Sequence, residues 1–222
     1  MLFHPQKCKV MHLGTNNPLR AYHMETCDGN AHPLEAVDEE KDLGVIIDKD
    51  LTFSKHISKQ VNKANQVLGA IKHTFSALDN TTFLLLYKSL VRPHLECATV
   101  IWNPRYKRDK DALERIQRRA TKLLKGLSEL SYGERLRALN LPTLEYRRQR
   151  ADIIETFKIL KGLDHAVCDR ECKTCGNCLV KNSIYKSTRG HSMKLHAQHH
   201  PGIREHFFVS RVTSTWKKPK HC

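Results

Sequence analysis

The sequence has no long apolar segment: nowhere do about 18 apolar residues follow one another, the length needed for a membrane-spanning helix. Its first residues, Met1 to Pro5, also lack the basic and then apolar order of a secretory signal peptide. Acidic side chains are scarce, 23 against 38 lysines and arginines. These absences argue against a membrane or secreted protein, and we expect a soluble intracellular protein of the cytoplasm or nucleus.

The chain has eight cysteines, which in a reducing compartment are expected to be thiols or metal ligands and not disulfides. Four of them lie within one short segment and are candidate zinc ligands: Cys168, Cys172, Cys175 and Cys178. Cys175 and Cys178 together with His196 and His200 offer a second ligand set, although its middle gap is longer than in a usual zinc finger. Free thiols on a flexible loop are the alternative, and the spacing alone does not decide between them.

The formal net charge of +15 is unevenly distributed. Residues 1–50 hold 9 of the acidic and only 5 of the basic side chains, so the positive field belongs to the rest of the chain. Such a field raises the local concentration of polyanions and speeds their capture. The charge pattern therefore favours a nucleic-acid partner, with a well-solvated basic surface as the alternative.

The first 52 residues predict a small antiparallel β-meander. Lys7–Leu13, Ala21–Cys27 and Leu43–Asp48 are separated by turn residues and read as strands. So few strands do not make an independent domain, and we interpret this segment as the remnant of a larger sheet.

Residues 53–162 change to helical spacing and predict a bundle. Apolar residues from Ile57 to Phe75 recur every three or four positions, and a second helix should begin near residue 80 and break or bend at Pro93. Further helices are expected over residues 109–127, 132–139 and 143–162. Residues 163–222 should form a mostly irregular basic tail with at most one short docked element, His206–Val212. The expected fold class is mainly α with a small N-terminal antiparallel β-meander.

Basic residues follow one face of the helix expected at residues 109–127, opposite an apolar stripe that includes Leu113 and Ile116. They recur at three- and four-residue steps: Arg115, Arg118, Arg119, Lys122 and Lys125. A row of this kind can neutralise consecutive phosphates without reading sequence. Four residues of other helices extend the predicted binding set: Lys59, Lys63, Arg147 and Arg148. A solvated helix face is the alternative interpretation.

Several segments resemble reverse transcriptases of non-LTR (LINE-type, jockey-like) retrotransposons. LYKSLVRPHLECATVIWNP at residues 86–104 and LERIQRRATKLLKGL at residues 113–127 resemble the family's thumb. FHPQKCKV at residues 3–10 resembles motif D, with His4 in place of the usual Asn, and KDLGVIID at residues 41–48 resembles motif E, the primer grip. The resemblance is weaker at residues 187–216, where STRGH and FFVSRVTSTW are similar to the family's C-terminal region.

The resemblance implies roles for individual residues. Lys7 matches the motif D lysine, a candidate general acid toward the leaving pyrophosphate. Leu43 and Gly44 would belong to the primer-grip hairpin, where a residue without Cβ lets two backbones approach closely. The thumb helices would hold an RNA–DNA hybrid or another duplex.

The family's polymerase chemistry also needs aspartates that hold two Mg²⁺ ions, part of them in a Tyr-Ala-Asp-Asp turn. No such tetrapeptide occurs in the sequence, and Asp48 and Asp50 have no partner carboxylate from a second element. We therefore expect a truncated reverse transcriptase that holds no Mg²⁺ of its own and binds nucleic acid without polymerising it. A decayed transposon-derived protein with no selected activity, and a zinc-stabilised nucleic-acid-binding module, are the alternatives.

Overall fold

The computed structural model describes residues 4–14, 17–26, 29–75, 77–161, 163, 195 and 202–216. The strands in these ranges are β1 (Lys9–Val10), β2 (His23–Glu25), β3 (Ala31–Pro33), β4 (Glu35–Ala36), β5 (Glu39–Asp42) and β6 (Val45–Asp48). The α-helices are α1 (Ser54–Thr74), α2 (Asn80–Leu86), α3 (Arg92–Glu96), α4 (Thr99–Trp102), α5 (Lys107–Thr121), α6 (Tyr132–Ala138), α7 (Leu144–Lys161) and α8 (Phe208–Trp216). Within the described ranges, no helix is both long enough and apolar enough to cross a membrane.

The chain is mainly helical with a small N-terminal set of strands, as the sequence predicts. β2 pairs with β3 and β5 pairs with β6, both antiparallel. The remaining pair, β1 with β4, is parallel and was not predicted, because the partner of so short a strand is chosen by tertiary packing. Each strand has only two to four residues, and the strands form three separate two-stranded ladders instead of one meander.

The hydrophobic core lies between α1, the α2–α3 segment, α5 and the start of α7. α1 buries Ile57, Ala64, Leu68 and Ile71 at the three- and four-residue spacing that its sequence predicts. Trp102 is 0% exposed, and its indole N–H donates to the Cys97 carbonyl at 2.6 Å. Trp102 therefore belongs to the core, where its polar group is satisfied.

The helix expected to break or bend at Pro93 does not end there, and its hydrogen bonding changes just before the proline. A π-helical segment, Tyr87–Val91, joins α2 to α3, and Pro93 occupies the first turn of α3. Proline is tolerated in a first turn because no amide is needed there. The helix ends only at Cys97, before Ala98 takes a positive φ of 57°. The proline thus changes the hydrogen bonding one turn earlier and does not end the helix.

The short C-terminal element predicted near His206–Val212 is α8, which packs against α7. Arg211 on α8 forms a two-pronged ion pair with Asp152 on α7, with Nε and Nη2 each 2.8 Å from a carboxylate oxygen. Nη2 also donates to the Val100 carbonyl at 2.6 Å. Arg211 therefore fixes α8 to the body. The rest of the predicted tail is almost entirely outside the described residues.

A buried glutamine joins three parts of the bundle. The Tyr87 hydroxyl donates to Oε1 of Gln117 at 2.7 Å, and Nε2 of Gln117 donates to the Tyr132 hydroxyl at 3.1 Å and to the Pro142 carbonyl at 3.0 Å. The Tyr132 hydroxyl donates in turn to the Glu114 carboxylate. Because Gln117 is only 1% exposed, its amide depends on these partners and not on water.

The same network reaches the beginning of α7. The second oxygen of Glu114 accepts a hydrogen bond from the Leu144 amide at 3.1 Å, an amide in the first turn of α7. Burial raises the pKa of both Tyr87 and Tyr132, so both hydroxyls remain protonated donors. Every bond in the network consequently has one donor and one acceptor at neutral pH.

Replacing Tyr87 by Phe should destabilise the fold. The substitution keeps the ring in the core but leaves Oε1 of Gln117 without a donor, which costs about 1–3 kcal/mol in the free energy of unfolding. Urea denaturation measures this loss. The control is Tyr22→Phe, because Tyr22 is 52% exposed and its substitution should change stability by less than about 0.5 kcal/mol. Equal effects of the two substitutions would contradict the role given to the network.

Candidate nucleic-acid interface

The basic residues predicted on α5 all lie at the surface. Arg115, Arg118 and Arg119 are exposed, while Leu113, Ile116 and Ala120 on the other side of the helix are buried. α5 ends at Thr121, earlier than predicted. Lys122 and Lys125 are therefore exposed in the turns that follow, before Gly126 at a φ of 87°. We call the five residues Arg115, Arg118, Arg119, Lys122 and Lys125 the α5 basic face.

The charges of the α5 basic face are not neutralised by neighbouring carboxylates. In the part of the chain that the structure describes, none of the five forms an ion pair within 4.0 Å. Two of the arginines are held by neutral partners: Arg119 donates from Nη1 to Oδ1 of Asn65 at 2.8 Å, and the Arg118 guanidinium lies 5.0 Å from the centre of the Tyr132 ring. These contacts orient the guanidinium groups and leave their charge available to a ligand.

Asn65 was not predicted from the sequence. It lies on α1 at the edge of the apolar stripe, between the positions of Val61 and Leu68. A polar residue at such an edge can contact a neighbouring helix, which is the sequence signal that would have identified it. Through Asn65, α1 positions a side chain of α5.

The two predicted lysines of α1 lie on another side of that helix. Lys59 and Lys63 are both exposed, and Lys63 is two residues before Asn65, which places the two side chains on roughly opposite sides of α1. Both lysine charges lower the pKa of His56, so they lie near it. His56 accepts a hydrogen bond from the Ile46 amide of β6 at 3.2 Å. Lys59 and Lys63 therefore lie on the side of α1 that carries His56, and not on the side that carries Asn65.

The tip of the β5–β6 hairpin is a two-residue loop formed by Leu43 and Gly44. Both have positive φ, 44° and 90°, as in the tight turns that match the twist of paired strands. Gly44 takes a positive φ without strain, but at Leu43 a positive φ brings Cβ too close to the backbone. Leu43 is also 98% exposed. A large apolar side chain is thus held fully in solvent on a strained backbone.

Arg147 and Arg148 are not exposed as the residues of the α5 basic face are. Arg147 forms a bidentate ion pair with Glu96 on α3, in which Nη2 donates to Oε2 at 2.9 Å. The Glu96 carboxylate raises the pKa of the Arg147 guanidinium. Arg148 is 3% exposed, and burial lowers its pKa. That both contact nucleic acid stays a prediction, but Arg147 is engaged by Glu96 and Arg148 is buried, which the local run of basic residues did not reveal.

The remaining predicted site residues are spread over the chain. Lys7 is exposed at the end of a short 3-10 turn, Pro5–Lys7. Asp48 accepts hydrogen bonds from the Thr52 amide at 2.9 Å and from the Phe53 amide at 2.6 Å, so it organises the chain before α1. The four predicted zinc ligands lie outside the described residues, and their metal binding stays a prediction. Within the described ranges, no three His, Cys, Asp or Glu side chains converge to hold a metal.

The comparisons with known proteins give no relative: no family model matches the chain, and neither a curated protein nor a solved structure is significantly similar to it.

Acidification should weaken the contact between α1 and the hairpin through His56. Its Nδ1 must be unprotonated to accept from Ile46, and burial, together with Lys59 and Lys63, lowers the pKa of His56 below its ordinary 6.5. The stabilisation by His56 is therefore complete above about pH 6.5 and is lost as the pH falls through the lower pKa of the folded state.

Thermal unfolding of wild type and His56→Asn across this pH range tests the expectation. Asparagine supplies an acceptor but does not titrate, so the melting temperature of the variant should fall less between about pH 7.5 and about pH 5.5 than that of wild type. A matched substitution at exposed His73, His73→Asn, should leave the wild-type slope unchanged. Parallel curves for wild type and His56→Asn would contradict this account.

Proposed function

We propose that this protein binds nucleic acid through the phosphates, using the α5 basic face as its main contact. The observation that carries the proposal is the set of five exposed lysines and arginines without a carboxylate partner among the described residues. Positive side chains without internal partners are the ones that release counterions when they meet a polyphosphate. Among the described residues, no carboxylate lies within ion-pair range of this face.

Binding of this kind is independent of base sequence. Arg115 and Arg119 are one helical turn apart, close to the spacing of neighbouring phosphates on one strand of a duplex. Arg119 is oriented by Asn65 and Arg118 by Tyr132, which restricts their rotamers before a ligand arrives. Contacts to phosphates fix position and orientation but do not distinguish bases.

The hairpin tip supports a second point of contact. Leu43 combines a positive φ with nearly complete exposure, and either property alone lowers stability or solubility. Leu19 shares both properties, but only Leu43 lies in the segment KDLGVIID that resembles the primer grip, and stored strain of this kind clusters at sites that meet a ligand. We propose that Leu43 packs against the sugar or base at the end of a duplex, with Lys59 and Lys63 of α1 on phosphates of the same duplex.

We further propose that the chain derives from a non-LTR retrotransposon reverse transcriptase. The support is the order of segments similar to that family: motif D before the primer grip, and the primer grip before the thumb helices. In this interpretation the β5–β6 hairpin is the primer grip and α1 to α7 form the thumb and the segment after it. The ligand would then be an RNA–DNA hybrid or a DNA duplex in the cytoplasm or nucleus.

Removing two charges of the α5 basic face should reduce the salt dependence of binding. For wild type, the logarithm of affinity for a short labelled RNA–DNA hybrid should fall linearly with the logarithm of salt concentration. Arg115→Gln combined with Arg119→Gln should lower the slope by about 2, because two fewer phosphates are neutralised. Fluorescence anisotropy at several salt concentrations gives both slopes.

The control pair for this experiment is Lys88→Gln combined with Arg137→Gln. Both residues are exposed and carry the same charge, but they lie on the π-helical segment and on α6, outside the α5 basic face. This control should retain the wild-type slope. A flat salt response of the wild type, or equal slopes for the two double variants, would overturn the proposed site.

Replacing Leu43 by Asn should stabilise the fold and weaken binding. Asparagine followed by glycine is preferred in two-residue hairpin loops with positive φ, and relief of the strained leucine should contribute about 1 kcal/mol. Loss of a packed leucine from the complex should raise the dissociation constant about fivefold. Thermal unfolding and anisotropy measure the two effects on the same preparation.

Leu19 provides a matched control because it also has a positive φ, 50°, and is 70% exposed. Leu19→Asn should relieve similar strain without changing affinity. Unchanged binding by Leu43→Asn would show that the hairpin tip does not contact the ligand, while the salt experiment would still test the α5 basic face.

A further inference from the structure

A polar pocket with a volume of about 150 Å³ lies beside α7, where α8 packs on it. All of its lining residues are polar or charged, among them Lys110, Gln149, Arg148 and Arg211. Lys110 is nine residues before Arg119 on α5, which places the two on roughly opposite sides of that helix. The pocket is therefore separate from the α5 basic face.

Arg148 is the unusual member of this pocket. The residue is 3% exposed, and Nη1 of its guanidinium is buried without a hydrogen-bond partner. A buried charge without a paired anion costs several kcal/mol, and buried guanidinium groups are normally paired. A structural arginine of this kind therefore needs a partner.

The carboxylates whose charges act on Arg148 bind other groups. Glu96 is two-pronged with Arg147, and both oxygens of Asp152 accept from Arg211. Glu114 accepts from the Tyr132 hydroxyl and from the Leu144 amide. Glu145 lies in the pocket wall with its side chain 58% exposed, 3.9 Å from the Lys110 ammonium.

Arg211 differs from Arg148 because its donors are used within the chain. Its guanidinium binds Asp152 and the carbonyls of Val100 and His206. The donor without a partner in the pocket, among the described residues, is consequently Nη1 of Arg148, with the half-exposed Lys110 and the Gln149 amide in the same wall. Three cationic side chains and two carboxylates line the pocket. Both oxygens of one carboxylate, Asp152, already accept hydrogen bonds from Arg211.

We propose that this pocket binds a phosphate group, with Arg148 as its principal ligand and Lys110 as a second positive charge. A guanidinium presents a planar fork of N–H donors that matches two oxygens of a tetrahedral oxyanion. The volume accepts one phosphate and leaves room for water. The phosphate is supplied either as the free ion or as the terminal phosphate of an oligonucleotide, because both present the same oxygens.

Thermal unfolding in phosphate and in chloride at equal ionic strength tests the site, with inorganic phosphate as the probe. At a phosphate concentration about four times the dissociation constant, the melting temperature of wild type should rise by about 2–4 °C above its value in chloride. Arg148→Met should lose this rise. Phosphate also stabilises proteins non-specifically, so a control variant is needed. Arg150 is an exposed arginine of α7, and Arg150→Met should retain the phosphate-dependent rise in melting temperature.

Calorimetric titration of wild type with phosphate keeps the test decisive if Arg148→Met does not fold. Saturable binding that weakens in Lys110→Met is expected, and absence of saturable heat would overturn the proposal. A phosphate-dependent rise of equal size in Arg148→Met and wild type would overturn it as well.

The source of the phosphate is distinguished with two oligonucleotides of one sequence, one with a 5′-phosphate and one with a 5′-hydroxyl. Tighter binding of the phosphorylated strand, lost in Arg148→Met, assigns the pocket to a nucleic-acid end. Equal binding of both strands, with saturable inorganic phosphate, assigns it to the free ion. The Arg115→Gln and Arg119→Gln double variant should keep its phosphate response, so failure of the proposed function and failure of this site give different results.

Discussion

The side-chain amide of Gln117 fixes the orientation of α5, and the rest of the helical body is arranged around it. Three hydrogen bonds, from the segment at Tyr87, to α6 at Tyr132 and to the Pro142 carbonyl, hold one buried side chain in the middle of this helix. A rotation of α5 about its axis would break all three at a side chain that is only 1% exposed. Arg115 and Arg119 lie two residues before and after Gln117, so both are turned away from it and toward solvent. The polar centre of the bundle thus determines which side of α5 is basic and exposed.

Two groups of arginines among the described residues have opposite relations to water. Those of the α5 basic face are exposed, and none has a carboxylate partner in the described residues. Arg135, Arg147 and Arg211 instead bind groups of the chain itself, and Arg135 donates to the Thr121 hydroxyl at 3.1 Å and to the Leu130 carbonyl at 2.5 Å. The net charge of +15 therefore overstates the field that a ligand meets, because part of the basic content holds chain segments together.

The predictions from sequence are confirmed where one apolar period determines which face of a helix is buried. They fail where the direction of a side chain depends on how other elements pack against its helix. α1 and α5 have strong apolar periods, and the predicted residues Ile57, Leu68, Leu113 and Ile116 are buried. The run at Arg147 and Arg148 gives no such indication, because the direction of each side chain depends on where Glu96 and α8 pack against α7. The passage through Pro93 was also not predictable, since it depends on the π-helical segment that precedes it. The exposed charges of α5 could be predicted from its apolar stripe alone. The pocket around Arg148 could not be predicted without knowing the position of α8.

α1 connects the two surfaces that the proposed function needs, the α5 basic face and the tip of the β5–β6 hairpin. On one side it positions Arg119 through Asn65, and on another it holds the hairpin through His56 and through the ion pair of Lys55 with Glu39. Asp48 at the end of β6 binds the amides of Thr52 and Phe53, so the hairpin continues into α1 without a flexible linker. A duplex has a fixed separation between its strands, and a protein that contacts it at two places needs a rigid element between them. The 21 residues of α1 supply that element, because its buried stripe is shared with the core and its two flanks carry the contacts to the hairpin and to α5.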